Sequence, residues 1–308
     1  MSIFPTRILL ATDGSKQAEL AARTALDLAN TTNSELHIVT VARLEYAHAY
    51  DIPESGDVPK GVYEASERKA RELLDEQVKK IEQTGGTIAQ VHLLRGRPDR
   101  EIVHLADDVD AGLIVMGSRG LGGVRRALMG SVSDSVVRHA HCPVWVVRGE
   151  RREEEEAAST FPTKILLATD GSEEASLAAR TAADIAAKTE SELHIVHVRG
   201  VPVYIDRGSE VLRVAHGAPE ETVRREAQGV LDAQAEQIEA AGGKVTRTHV
   251  KLGRPDEEIV ILADEIDAGL VMMGSRGLSR IRQLLLGSVS DRVVRHAHCP
   301  VMVVRRQE

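Results

Sequence analysis

The sequence predicts two α/β domains, each built on an open parallel sheet of about five strands with helices on both faces. The length of 308 residues fits two domains of ordinary size. A segment that begins PTRILLATDGS at Pro5 returns as PTKILLATDGS at Pro162, which indicates an internal duplication. In each copy, short aliphatic runs alternate with segments of helical periodicity. Together these observations favour two similar domains in tandem.

The two copies align at a constant offset of 157 residues, without net insertion or deletion. The same offset relates the GRPD segments at Gly96 and Gly253. Over residues 4–41 the copies agree at 28 of 38 positions, whereas over residues 43–60 they agree at none of 18. The sequence therefore predicts one fold used twice, with one region in which the halves have diverged.

We place the domains at residues 1–148 and 161–308, joined by a linker at 149–160. The linker, GERREEEEAAST, is polar and acidic, which is typical of a solvated connector. An acidic interaction tail is the alternative interpretation. The divergent segment at 43–60, with its counterpart at 200–217, is interpreted as a lid or a partner surface that differs between the copies.

Five aliphatic runs in the first half predict strands that are buried on both faces. In chain order they are Ile8–Ala11, Leu36–Val41, Val91–Leu94, Leu113–Met116 and Val144–Val147. Alanine and leucine at helical spacing follow the first run, and Ser15 is placed to cap that helix. Further helices are predicted over Tyr63–Gln83, over Arg100–Asp108 and from Ser131 onward. This alternation of strands and helices is what predicts a parallel sheet.

The composition disfavours several classes of protein. A formal net charge of −8, with only two Phe, one Trp and four Tyr, argues against nucleic-acid binding. No apolar run approaches the roughly 18 residues that a membrane-spanning helix needs, and the first residues, MSIFPTR, do not resemble a secretory signal. Cys142 and Cys299 are equivalent positions of the two copies, which indicates duplication and not a disulfide framework. We therefore expect a cytoplasmic protein with neither nucleic-acid nor membrane partners.

A glycine pattern follows the fourth predicted strand of each half. Gly117 and Gly120 come directly after the strand, and nine residues separate Gly120 from Gly130 and Ser131 at a helix start. Glycines let a ligand approach the main chain, and a helix N-terminus offers free N–H groups to an anion. The second half repeats the spacing at Gly274, Gly277, Gly287 and Ser288. The duplicated pattern predicts a phosphate cradle in each half.

The spacing G-x2-G-x9-G-[ST] resembles that of the ATP-binding members of the universal stress protein family, here in tandem. The resemblance spans each half from its first strand to its last, apart from the divergent segment. It implies two Rossmann-like domains with an open sheet of strand order 3-2-1-4-5. In such sheets ligands bind at the carboxyl ends of the strands, where the strand order reverses. The segments at Thr12–Ser15 and Met116–Gly120 both fall at that point.

The resemblance assigns nucleotide contacts to ten residues in each half, with aspartate near the nucleoside or a metal, valine and methionine at the base, and the others at the phosphates. In the first half these are Asp13, Val41, Met116, Gly117, Arg119, Gly120, Gly130, Ser131, Val132 and Ser133. In the second half they are Asp170, Val198, Met273, Gly274, Arg276, Gly277, Gly287, Ser288, Val289 and Ser290. The implied ligand is ATP, with AMP or ADP as variants and Mg²⁺ or Mn²⁺ beside the phosphates.

Several of these residues have a structural alternative. Asp13 is also typical of a turn or a helix cap, Val41 and Met116 of core packing, and Arg119 of a solvated surface. The segment RHAHCP at 138–143 contains zinc-ligand types, but it also fits a helix-to-strand turn, and we predict no metal site there. His37 and His194 are interpreted as packed or edge histidines and not as catalytic ones. The arginines of the two GRPD segments are secondary candidates for lining the crevice.

No G-x-x-x-x-G-K-[ST] segment is present, and no group that would orient a nucleophile for phosphoryl transfer is evident. We therefore expect a nucleotide-dependent stress-response or signalling protein that binds ATP in both domains, without assigned catalytic residues. A slow ATPase or a nucleotidyl-transfer enzyme is the alternative.

The last predicted strands of the two halves, Val144–Val147 and Val301–Val304, are apolar edge strands in the implied order. In single-domain relatives this edge forms a homodimer. By that resemblance, the two halves are expected to pair with each other as an intramolecular pseudo-dimer. Further homo-oligomerisation is left open.

Overall fold

The computed structural model describes residues 4–43, 60–121, 129–149, 161–200, 220–278 and 286–305, without the side chains of residues 60–63. The chain divides after residue 160 into two compact units. Apart from Arg43, Lys60, Gly149 and Gly200, the expected lid segments and the acidic linker lie outside the described residues.

The N-terminal unit contains five strands and four helices in strict alternation among the described residues. They are β1 (Arg7–Ala11), α1 (Lys16–Thr32), β2 (Glu35–Ala42), α2 (Lys60–Gln83), β3 (Gln90–Arg95), α3 (Pro98–Asp108), β4 (Leu113–Gly117), α4 (Ser131–His139) and β5 (Val144–Val147). The strand order is β3-β2-β1-β4-β5, and the strand pairs are parallel. The predicted fold class is confirmed.

The C-terminal unit repeats this arrangement. Its elements are β6 (Lys164–Ala168), α5 (Glu173–Thr189), β7 (Glu192–Arg199), α6 (Glu220–Ala240), β8 (Arg247–Leu252), α7 (Pro255–Glu265), β9 (Leu270–Gly274), α8 (Ser288–His296) and β10 (Val301–Val304). The strand order within this unit is β8-β7-β6-β9-β10, again with parallel pairs.

The core of each unit is aliphatic and small-residue rich. Every residue of β5 is buried, as are Ile8, Leu9 and Leu10 of β1. On α1 the side that faces the sheet is largely alanine, which lets the helix pack close to β1 and β4. Ser15 caps α1 as predicted, because its hydroxyl accepts a hydrogen bond from the N–H of Ala18 at 3.3 Å.

The expectation that all five strands are buried on both faces is wrong for β3. Most of its residues are half-buried or exposed, and 48% of Val91 is accessible. The reason is position: β3 ends the sheet of its unit, and helices α2 and α3 pack more over β2 than over β3. The helix predicted from Arg100 also begins earlier, at Pro98, because proline is favourable in the first turn of a helix.

None of the described helices is long and apolar enough to cross a membrane.

Candidate functional site

The candidate site of each unit lies where its first and fourth strands end side by side. In the N-terminal unit, Ala11 of β1 is in register with Met116 of β4, so Asp13 and Gly117 emerge at the same edge of the sheet. In the C-terminal unit Ala168 is likewise in register with Met273. These residues thus lie at the carboxyl edge of the sheet where the strand order reverses, which is where the site was predicted from the sequence.

The carboxylate of Asp13 ties two loops together. One oxygen accepts a hydrogen bond from the N–H of Ser15 at 3.1 Å, and the other accepts one from the N–H of Leu121 at 3.0 Å. In the C-terminal unit, Asp170 receives the N–H groups of Ser172 and Leu278 in the same way, at 3.0 and 2.8 Å. The aspartate therefore has the turn role, its structural alternative, in both units. Because each carboxylate oxygen has two lone pairs, this role leaves acceptor capacity for a ligand.

Two of the motif glycines are required by neighbouring protein atoms. A Cβ on Gly120 would lie 2.1 Å from Oδ2 of Asp13, and one on Gly117 would lie 2.8 Å from the main chain of Gln17 in α1. We expected these glycines to make room for a ligand. That role stays a prediction, and the structure shows that these glycines make room for the Asp13 carboxylate and for the close packing of α1 on β4. Gly277 and Gly274 have the same contacts in the C-terminal unit, at 2.2 and 2.9 Å.

The N-terminus of α4 provides the other side of the site. Gly130 precedes the helix with extended backbone, its N–H donates to the carbonyl of Ser118 at 2.8 Å, and no side chain caps the helix. The first N–H groups of an α-helix have no partner within the helix, so they are available to an anion. The first turn of α8 has the same geometry. Gly287 precedes it, and the N–H of Gly287 donates to the carbonyl of Ser275 at 2.7 Å.

The hydroxyls of Ser133 and Ser290 are engaged within the chain. Ser133 is buried, and its hydroxyl donates to carbonyl oxygens of the glycine loop, 2.8 Å from that of Ser118 and 3.0 Å from that of Gly130. The hydroxyl of Ser290 donates to the carbonyl of Gly274 at 2.9 Å. These side chains hold the loop to the helix, so their N–H groups remain the atoms through which they could meet a phosphate.

All ten residues that the sequence assigns to the C-terminal site line one cleft of about 250 Å³. The lining includes the apolar side chains of Val198 and Met273 as well as Gly277 and Ser288. Arg276 also lines it, and its Nε is buried without a hydrogen-bond partner among the described residues. A buried, unsatisfied guanidinium nitrogen is costly unless a ligand pairs with it.

Sequence reasoning missed several residues of this cleft. They are Ala168, Thr169, Ala175, Val196, Pro255, Ile259 and Leu278. Pro255 belongs to the second GRPD segment, of which only the arginine was a candidate, and Ile259 lies one helical turn later on α7. Periodicity predicts that Ile259 faces inward, but only the fold shows that it faces this cleft.

In the N-terminal unit a cavity of about 460 Å³ is lined by Ser131 and Val132 together with residues outside the ten assigned ones. Met116 is buried and Val41 is half-buried, while Arg119 is exposed and its carbonyl accepts a hydrogen bond from the hydroxyl of Ser15. The surface alternative for Arg119 thus describes its side chain in this structure.

Histidine pairs join the second and third strands in both units. Nδ1 of His37 lies 3.3 Å from Nε2 of His92, and the equivalent atoms of His194 and His249 are 3.1 Å apart. Burial lowers the pKa of His37, and burial followed by the neighbouring His37 lowers that of His92. Both pairs lie away from the carboxyl edge of the sheet, so they are not part of the candidate site.

The described residues contain no group of three or more His, Cys, Asp and Glu side chains that could hold a metal ion. In the RHAHCP segment, the Nδ1 of His139 lies 2.7 Å from the carbonyl of Ser135 one helical turn earlier, and Cys142 is buried.

A comparison with protein-family models supplies the deciding observation: the model of the universal stress protein family matches residues 5–148 and again residues 162–305. The chain belongs to the universal stress protein family. The resemblance inferred from the glycine spacing is therefore confirmed at the level of the family and of its tandem form.

Universal stress proteins of similar length lie among its relatives. One from Mycolicibacterium smegmatis is 28% identical over 306 residues, covering 97% of this chain and 96% of the relative. One from Mycobacterium tuberculosis is 28% identical over 304 residues, with the same coverage of 97% and 96%. The crystal structure of a universal stress protein from Archaeoglobus fulgidus is similar with a TM-score of 0.69 at 27% identity, over 99% of this chain and 98% of the other.

Proposed function

We propose that this universal stress protein binds an adenine nucleotide, ATP, in each half and acts as a nucleotide-dependent stress-response protein. The observation that carries the proposal is the cleft of the C-terminal unit, which gathers all ten residues assigned from the sequence around a buried, unpaired Arg276 Nε. An apolar cleft with a few converging polar groups is typical of a small-molecule site.

The chemistry of the cleft fits the parts of a nucleotide. Val198 and Met273 offer an apolar wall to the base, and the free lone pairs of Asp170 can accept ribose hydroxyl groups. The N–H groups at Ser288 and the guanidinium of Arg276 suit phosphate oxygens. The cleft volume of about 250 Å³ is below the roughly 300 Å³ at which sites for drug-sized ligands begin, which favours phosphates lying along the rim.

A divalent cation would accompany the phosphates and would not occupy a protein site. The described residues form no cluster of metal-binding side chains, and Mg²⁺ is commonly bound through phosphates and water with few protein ligands. What the chain supplies is the arrangement of donors around the nucleotide. No observation in the described site favours turnover over binding, so binding is the function we propose.

Titration of the full-length protein with ATP tests the proposal. We expect two sites. Ser131→Glu and Ser288→Glu should each remove one of them, because a carboxylate at the first helical position repels the phosphate and lowers the affinity by about tenfold or more. Glutamate in the first turn of a helix is favourable to the helix itself, so both variants should fold.

Gln90→Glu is the matched control, since it adds the same charge at an exposed position of β3 outside the assigned residues. It should leave both sites intact. Calorimetry that detects no binding of adenine nucleotides at millimolar concentration would refute the proposed function, and release of ADP during the titration would instead favour the ATPase.

A further inference from the structure

The cavity of about 460 Å³ in the N-terminal unit adjoins the proposed phosphate cradle. Its wall includes Ser131 and Val132 of the cradle, and it also includes Arg43 after β2 and Arg97 before α3. A ligand whose phosphates reach the first turn of α4 would therefore have further space beside it, bordered by two guanidinium groups.

The arginines of this corner are paired differently in the two halves of the chain. We define the arginine corner as the cavity-lining residues Arg43, Arg97, Asp99 and Ser135, whose net formal charge is +1. The equivalent residues of the C-terminal half are Gly200, Arg254, Asp256 and Arg292, whose net formal charge is also +1. The halves therefore differ in which arginines have a partner and not in net charge.

In the C-terminal unit both arginines of the corner are paired with carboxylates. Asp256 lies between them, 3.1 Å from Nη2 of Arg254 and 3.3 Å from Nη1 of Arg292. Arg254 pairs in addition with Glu257, which follows Asp256 on α7, at 2.5 Å. Arg292 stands where the N-terminal half has Ser135.

In the N-terminal unit one arginine of the corner has no ion pair within the described residues. Asp99 accepts hydrogen bonds from Arg97 at 3.0 Å and from the hydroxyl of Ser135 at 2.9 Å, so Arg97 is paired. Arg43 is exposed and has no ion pair with a residue in the described part of the chain. A guanidinium without such a partner, beside a cavity, attracts an anion with several acceptor oxygens.

We propose that the arginine corner is a second anion subsite, which binds one phosphate group beyond those held in the cradle of the N-terminal half. The inference rests on the proposed function, because the cradle must hold the rest of the nucleotide. The additional phosphate can extend the 5′ chain or stand on the ribose, since both present oxygens that match a guanidinium. The C-terminal half then binds the unextended nucleotide without preference for a further phosphate.

The test uses full-length protein in which Ser288→Glu removes the C-terminal site. ATP is compared with adenosine 5′-tetraphosphate, and ADP with its 3′-phosphorylated form, by calorimetry at one fixed salt concentration. We expect one of the phosphate-rich ligands to bind about tenfold more tightly than its parent, as one charge-assisted contact allows. In Ser131→Glu protein, which retains the C-terminal site, the ratio should stay within about twofold.

Exchanges between the halves provide the matched variants. In Arg43→Gln protein the ratio of the affinity for the phosphate-rich ligand to that for its parent should decrease toward one, while the affinity for ATP changes little. Gly200→Arg, which gives the C-terminal corner the arginine of its counterpart, should create a preference there. An equal advantage in both halves, or none in the N-terminal half, would overturn the subsite.

Inorganic tripolyphosphate separates this inference from the nucleotide proposal. Titrated into wild-type protein and into Arg43→Gln protein, it should bind the first more tightly than the second. Such a difference supports the subsite even where ATP fails to bind. Binding of ATP to both halves, without any effect of Arg43→Gln on tripolyphosphate, would overturn the subsite and leave the proposed function standing.

Discussion

At the candidate site, each motif residue is constrained by atoms only a few ångströms away. The spacing of the glycines could be read from the sequence, but the need for Gly120 comes from the Asp13 carboxylate, which follows a different strand. Similarly, the sequence places Ser133 at the cradle, whereas its hydroxyl is engaged with the carbonyl of Ser118. Such contacts join residues about 15 and 107 positions apart, so residue types and local spacing do not predict them.

Substitution of Gly120 tests this account of the glycine motif. Gly120→Ala puts a methyl group 2.1 Å from the carboxylate oxygen of Asp13, so either the loop shifts or the carboxylate moves away from the N–H groups of Ser15 and Leu121. We expect a loss of about 1–3 kcal/mol in the free energy of unfolding, the usual cost of overpacking. Urea denaturation measures it.

Gly130→Ala is the control for that experiment, because its Cβ would meet nothing nearer than 3.4 Å and the backbone φ is −79°. Its cost should stay at or below about 1 kcal/mol, the effect of alanine before a helix. Equal losses in the two variants would show that the Asp13 contact is not what requires Gly120.

At the scale of elements, hydrophobic runs and helix signals predicted the order of strands and helices because each is a local property of the chain. The position of a strand within the sheet is not local, and that is why the burial expected for β3 was wrong. The pairing of His37 with His92 was missed for the same reason: these side chains meet only because β2 and β3 are neighbours, with Val39 in register with His92.

The histidine pairs predict a pH dependence of stability. In the C-terminal unit Nε2 of His194 lies 3.3 Å from a carboxylate oxygen of Glu192, so Nε2–H donates there and Nδ1 accepts from Nε2–H of His249. This chain of hydrogen bonds suits neutral rings. Burial, followed by the charge of His194, lowers the pKa of His249 below its usual 6.5.

A pKa that is lower in the folded than in the unfolded protein means that the unfolded chain binds the proton more readily. The stabilising contribution is complete above about pH 6.5 and is lost as the pH falls toward the folded pKa. We expect the urea midpoint to decrease as the pH is lowered from 7.5 to 5.5. His92→Gln and His249→Gln should reduce that fall, whereas His104→Gln, at an exposed position of α3, should not. An unchanged fall in all three variants would remove the histidine pairs as its cause.

At the scale of the whole molecule, duplication explains why the two units share a fold and a cradle. Family membership was within reach of the sequence, because the glycine spacing occurs twice at one offset. The difference in the arginine corner was in principle visible in the same alignment. Its meaning was not, since positions 43, 97 and 135 become neighbours only around the folded cavity.

The pairing of the halves through β5 and β10 stays a prediction from the resemblance. Each half, expressed alone, should expose one apolar edge strand and associate into dimers, because unpaired strand edges bind one another. Size-exclusion chromatography with light scattering measures the mass. Halves that remain monomeric at high concentration would count against pairing through these strands.

The sequence by itself predicted the number of domains, the alternation of strands and helices, and the family, because all three depend on local patterns and on their repetition. The tertiary structure alone decided which side chains converge: the carboxylate beside Gly120, the arginine nitrogen in the C-terminal cleft, and the arginine beside the N-terminal cavity that has no ion pair among the described residues. The physical reason is that convergence depends on which strands become neighbours, and strand neighbours in a parallel sheet are joined through whole helices and not through adjacent residues.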